Sequence, residues 1–138
     1  EFLALAVSLE DLGLKTNNEK AKILAKSLDQ ATGLLLDNKK GPSPKTGQLD
    51  NRGGQFYLAM YWAQELAAQT QDKQLQDYFA PLAKALADNE QKILEEFRAV
   101  QGKPVDIGGY FMPDRKKVTD VMRPSATFNA LLDGKLCV

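Results

Sequence analysis

The chain has 138 residues, 43% hydrophobic and 26% charged, with 18 Lys and Arg against 18 Asp and Glu, no His and one Cys. A chain of this size and composition buries a core of its own, so one domain over residues 1–138 is expected rather than disorder. The charge balance removes the basic field that draws proteins to nucleic acid or anionic lipid, and the missing His removes Ser-His and Cys-His nucleophile pairs and every His-containing zinc site.

Residues 2–12 place Phe2, Leu5, Ala6, Leu9 and Leu12 at three- and four-residue spacing, which predicts an amphipathic helix with Gly13 as its stop. The run "FLALAVSL" is far shorter than the roughly 18–20 residues that span a bilayer, and the opening lacks the basic start of a signal peptide. No membrane partner is expected. The chain opens at Glu1 inside this helical pattern, which suggests a piece of something longer.

Asn17 or Asn18 caps a second predicted helix with Ala21, Leu24, Ala25, Leu28, Ala31 and Leu35 inward and Lys20, Lys22, Lys26 and Asp29 outward. The two segments read as an antiparallel hairpin. "DNKKGPSPKTG", 37–47, is a loop by its prolines and glycines. From Gly53 to Thr70 the pattern is helical and apolar on nearly every side, through Phe56, Leu58, Met60, Trp62, Ala63, Leu66 and Ala67, so this helix belongs at the centre.

Residues 72–101 continue the helical period, and Pro81 within them starts a new helix or kinks a long one. Asp88 with Lys92 and Glu95 with Arg98 are expected surface pairs. "GKPVDIGGYFMPD", 102–114, breaks the period, and its "VDI" is too short to assign as a strand. Two short helices split at Pro124 complete the chain. The expected fold is mainly α, a bundle of about five to seven helices with a Gly/Pro-rich loop near 102–114. The lone Cys137 excludes an internal disulfide, and cytoplasm is the expected setting.

The stretch "LDNRGG" opens the central helix. First-turn N–H groups lack helical partners, the helix dipole puts partial positive charge there, and Arg52 adds a fork of donors matched to phosphate or carboxylate. The alternative is equally simple: Asp50 or Asn51 caps the helix, the glycines make the turn, and Arg52 pairs with Asp50 or another carboxylate. A second helix start, "MRPSAT", sets Arg123 before Pro124 and Ser125, with a capped helix and a surface ion pair as its plainer reading. Tyr57, Tyr61 and Trp62 read as core rather than as a stacking platform. No spacing of Asp and Glu singles out a magnesium or manganese site, and "GGYF" lacks the context of a dinucleotide fingerprint.

The segments "DNRGGQFYLAMYWAQELAAQT", "FAPLAKALADNEQKILEEFRAVQGKPVDIGGYF" and "MRPSATFNALL" resemble the C-terminal region of monomeric-type NADP-dependent isocitrate dehydrogenase. The opening and the 31–54 segment fit the same region in the same order, so the resemblance covers almost the whole chain. It implies a parent enzyme several times longer that oxidises and decarboxylates isocitrate to 2-oxoglutarate, reducing NADP with magnesium or manganese. The terminal portions of that enzyme form one domain facing a larger central one across the active-site cleft.

The residues for substrate, metal and acid-base work belong to earlier segments, so the resemblance implies a chain that binds no metal and turns over nothing alone. Its expected partners are those remaining segments, with self-association through an exposed apolar face as the alternative. The arginine of the family's "DNRGS"-like motif contacts the NADP 2′-phosphate, and it matches Arg52. Gly54 stands where the family has serine, which removes a hydroxyl from that helix start, and the ending "LDGKLCV" departs from an Ala- and Leu-rich one.

Overall fold

A computed structural model describes residues 1–134, so Cys137 and the divergent ending from 135 onward lie outside the described residues. Seven helices occur in chain order: α1 (Phe2–Thr16), α2 (Glu19–Asp37), α3 (Asn51–Ala68), α4 (Lys73–Asp88), α5 (Glu90–Ala99), α6 (Arg115–Met122) and α7 (Ala126–Leu132). No strand occurs among the described residues, and "VDI" is irregular.

The first hairpin forms as the periodicity predicts, with two corrections. Gly13 lies inside α1 and is buried; a Cβ there would stand 2.6 Å from Lys22 Cγ and 3.0 Å from the Lys22 nitrogen, so this glycine admits the close approach of α2. Asn17, at φ 50°, supplies the left-handed stop, and the next N–H returns to the Gly13 carbonyl at 2.9 Å. The inward face of α1 is narrower than expected. Phe2, Ala6 and Leu9 turn inward, whereas Leu5 and Leu12 are exposed, because α1 packs chiefly against α2.

Asn18 caps α2, its Oδ1 accepting from the Ala21 N–H at 3.1 Å. Its expected inward residues are buried or half-buried, and Ile23, Ser27 and Thr32 join them because α2 lies between α1 and α3. The buried hydroxyls of Ser27 and Thr32 donate to carbonyls of their own helix at 2.7 and 2.8 Å. The Trp62 indole N–H then reaches Ser27 Oγ at 3.2 Å, tying α3 to α2.

The buried side chains of α1–α5 and α7 form one cluster around α3. Phe56 is fully buried and meets Phe128 of α7 edge-on at 5.4 Å, while Phe97 of α5 approaches the same ring at 6.4 Å. Leu28, Leu86 and Ile93 are also fully enclosed. Pro81 sits within a continuous α4, and the break falls instead at Asn89, which ends α4 and precedes α5. That boundary puts Asp88 and Lys92 on different helices, and Asp88 pairs with Lys84 at 2.5 Å. No Glu95–Arg98 pair forms among the described residues.

The loop expected near 102–114 is closed at its base. The Asp114 N–H donates to the Ile107 carbonyl at 2.7 Å, the Gly108 N–H donates to Asp106 Oδ1 at 2.8 Å, and Lys117 pairs with Asp106. Gly108 adopts φ +81°, and a Cβ there would press against Asp114, so glycine is required at this turn. The loop holds Tyr110 and Phe111 almost wholly in solvent, at 97% and 96% exposure.

Because Leu28 is fully enclosed where α2 meets α3, Leu28→Ala is expected to cost about 2–5 kcal/mol of stability. The measurement is the urea unfolding midpoint, which should fall with little change in the slope of the transition.

Candidate functional site

The chain enters α3 through an extended Asp50, whose Oδ1 accepts from the Gly53 N–H at 2.9 Å. Its Oδ2 takes the Arg52 Nε–H at 2.8 Å and lies 2.6 Å from Nη2. The Gly54 N–H donates to the Asp50 carbonyl at 3.0 Å. The structure therefore realises the capping alternative. Asp50 closes the helix start that would otherwise present its N–H groups to an outside anion.

Burial pushes the Asp50 carboxyl upward, but the Gly53 N–H and the neighbouring Arg52 guanidinium outweigh it and hold the group below the ordinary carboxylate range. Arg52 also donates through Nη1 to the Val121 carbonyl of α6 at 2.8 Å, which joins residues 69 apart in sequence. With its side chain 17% exposed, Arg52 is neither sealed in the core nor free in solvent. Of the five guanidinium N–H donors, one on each Nη is left over after these contacts.

Arg52 lines a groove of about 260 Å³ between the 43–46 loop and the segment after α5. Gln101 clasps the two walls: its Oε1 accepts from the Gly47 N–H at 2.8 Å, and its Nε2 donates to the Gln48 carbonyl at 3.0 Å. Gly54 faces the other way, toward Lys40, whose carbonyl oxygen would lie 3.3 Å from an added Cβ. A serine at this position needs the 40–42 segment to give by a few tenths of an ångström.

The second helix start also takes its anion from within. Ser125 caps α7 by accepting from the Phe128 N–H at 3.0 Å, and its own hydroxyl donates to Glu96 Oε2 at 2.5 Å. Thr127 donates to Glu96 from its N–H at 3.2 Å and from its hydroxyl at 2.7 Å. Burial raises the Glu96 carboxyl, and these donors more than reverse that, leaving it below its ordinary range. Arg123 is not in the expected ion pair among the described residues; its Nε donates to Asn129 Oδ1 at 3.2 Å.

Tyr57 is buried, while Tyr61 and Trp62 are partly buried against the core. The Tyr57 hydroxyl donates to Glu90 Oε1 at 2.5 Å, Lys40 lies 4.4 Å above its ring, and burial with the Glu90 carboxylate pushes the phenol well above its usual range. These aromatics join α3 to its neighbours and leave no open stacking face on Tyr57. Among the described residues no three Asp, Glu, Cys or His side chains converge as metal ligands. No described helix is long and apolar enough to cross a membrane.

An all-helical chain with an arginine held at a helix start beside a groove is the class that the geometry defines, and sequence comparison makes it specific. The chain belongs to the monomeric isocitrate dehydrogenase family, whose model matches residues 1–133. It is 65% identical over 134 residues to NADP isocitrate dehydrogenase 2 of Mycobacterium tuberculosis, covering 97% of this chain and 18% of that protein. It is 61% identical over 132 residues to the NADP isocitrate dehydrogenase of Azotobacter vinelandii, covering 96% of this chain and again 18% of the relative. The chain thus spans about 18% of the length of these relatives and corresponds to a fragment of such an enzyme.

The Glu96 clasp carries a pH prediction. Its folded pKa lies below the ordinary glutamate value of 4.5, so its contribution is complete above that value and is lost as pH falls through the lower folded value. Glu96→Gln is expected to cost roughly 1.5–3 kcal/mol at neutral pH, as for hydrogen bonds to a charged group. The variant should then lose less stability than the parent on acidification below 4.5, as read by thermal melting across that window.

Proposed function

We propose that this chain is the C-terminal region of an NADP-dependent isocitrate dehydrogenase, supplying helical scaffold and a contact to the 2′-phosphate of NADP through Arg52. The observation that carries this reading is the placement of Arg52. It is held in orientation by Asp50 and the Val121 carbonyl, it lines a groove, and it keeps an unused N–H on each Nη. A guanidinium positioned by an internal carboxylate loses little freedom on binding a phosphate.

In this reading the complete enzyme carries out oxidative decarboxylation of isocitrate to 2-oxoglutarate in the cytoplasm. NADP accepts the hydride there, and magnesium or manganese is held by other segments. The present chain is not catalytic alone. Its partners are those segments, and the apolar surface it exposes supports this: Leu3, Val7 and Leu14 on α1, and Tyr110 and Phe111 on the closed loop, are all more than half exposed. The same surface favours self-association of the isolated chain as a second reading.

The test is titration of the chain with 2′-phospho-AMP and with AMP at low salt. A preference of about tenfold for the 2′-phosphorylated ligand is expected, in keeping with loss of one charge-assisted pair in Arg52→Ala. A preference that survives Arg52→Ala assigns the arginine a purely structural part. Absence of any preference removes the phosphate contact from this chain.

A further inference from the structure

The Arg52–Asp50 pair is electrically neutral, which leaves a charge problem at the groove it lines. A phosphomonoester is close to a dianion near pH 7. The two free Nη donors of Arg52 give such a ligand direction, but the adjacent Asp50 carboxylate cancels most of the attraction. The compensating charge has to come from elsewhere.

Two further cations line the groove, Lys45 on one wall and Lys103 on the other. Asp50 is the acid lining it, so three cations against one carboxylate leave an excess of two positive charges in a chain whose 18 basic and 18 acidic residues balance as a whole. Neither lysine forms an ion pair among the described residues. Both are exposed.

The Ser43 N–H donates to the Leu49 carbonyl at 2.7 Å and the Lys45 N–H to Ser43 Oγ at 3.2 Å, which closes the loop under Lys45 immediately before Asp50. On the other wall Gly102 turns at φ +70° with Thr46 Cγ2 2.9 Å from the position of a Cβ, so the segment carrying Lys103 runs tightly against the first wall. Lys103 Nζ reaches the Ala99 carbonyl at 3.3 Å, a contact that a stronger acceptor displaces.

We infer that Lys45 and Lys103 are the charge-supplying residues of this groove, closing from opposite walls on the dianion of a phosphomonoester whose orientation Arg52 sets. The inference rests on the reading of Arg52 as a phosphate contact and deepens it: Arg52 gives geometry, and the lysines give net charge. Two ammonium groups on flexible stems suit that part, because they act as point charges that need no fixed angle. Their contribution is screened by salt, since both are exposed.

The experiment compares 2′-phospho-AMP with AMP on the 138-residue chain carrying Lys45→Ala, Lys103→Ala, both together, and Lys→Arg at the same positions. Each alanine is expected to lower the preference for the 2′-phosphate roughly threefold or more at low salt, the pair to abolish most of it, and the arginines to restore it. The effect should shrink as ionic strength rises. Thermal melting should change little, because both side chains are exposed and the Lys103 Nζ contact to the Ala99 carbonyl is a long, exposed hydrogen bond.

If the preference persists in the double alanine variant but disappears in Arg52→Ala, the lysine assignment is wrong and the reading of Arg52 stands. If it persists in Arg52→Ala but disappears with the lysines, the groove binds the phosphate without the arginine. A chain with no preference at all overturns both.

Discussion

The burial of α3 on nearly every side sets the terms for the remaining elements. A helix with Phe56, Leu58, Met60, Ala63 and Leu66 spread around its circumference has little face to offer water, so neighbours have to cover most of it: α2 on one side, α4 on another, with α5 and α7 adding to the cover. Fixing α3 also fixes its first turn. Arg52 is placed by the core below it as much as by its own contacts, and a loss of packing around Phe56 would move the guanidinium relative to the groove.

The starts of α3 and α7 solve the same problem in different ways. Free N–H groups and the dipole at a helix N-terminus attract negative charge, and here each finds it internally. Asp50 serves α3 from the adjacent position, whereas Glu96 reaches Ser125 and Thr127 from another helix. The first solution orients an arginine and leaves part of it unused; the second binds α7 to α5 and leaves its carboxylate accepting from three donors. That difference separates a structural clasp from a groove with donors to spare.

The outer surface carries a different message. α1 covers α2 with a narrow strip of Phe2, Ala6, Leu9 and Gly13, and turns Leu3, Leu5, Val7, Leu12 and Leu14 outward. The closed 107–114 turn presents Tyr110, Phe111 and Met112 to solvent although its base is hydrogen-bonded and its glycines are chosen for the turn. These exposed aromatics on a hydrogen-bonded loop belong to the apolar surface proposed above to meet the remaining segments of a longer chain.

Local sequence determined the elements and most of their caps. Three- and four-residue spacing of apolar side chains defines α1, α2 and α3, and Asn18, Asp50 and Ser125 mark helix starts because short polar side chains satisfy orphan N–H groups. The motif around Arg52 was legible as well, with both of its readings, since capping and anion binding draw on the same N–H groups.

Distance along the chain hid the rest. Nothing local marks Gly13 as a contact with α2, Asn89 as the break in place of Pro81, or Leu5 and Leu12 as exposed, because each depends on which neighbour arrives. The Arg52–Val121, Glu96–Ser125 and Gly47–Gln101 contacts join residues 69, 29 and 54 positions apart. Sequence supplied a cation at a helix start with Asp50 as its local partner; the tertiary fold alone decided that α6 would hold it and that Lys45 and Lys103 would share its groove. Charge adds in space and not along the chain, so the electrostatics of the site exists only once the helices are packed.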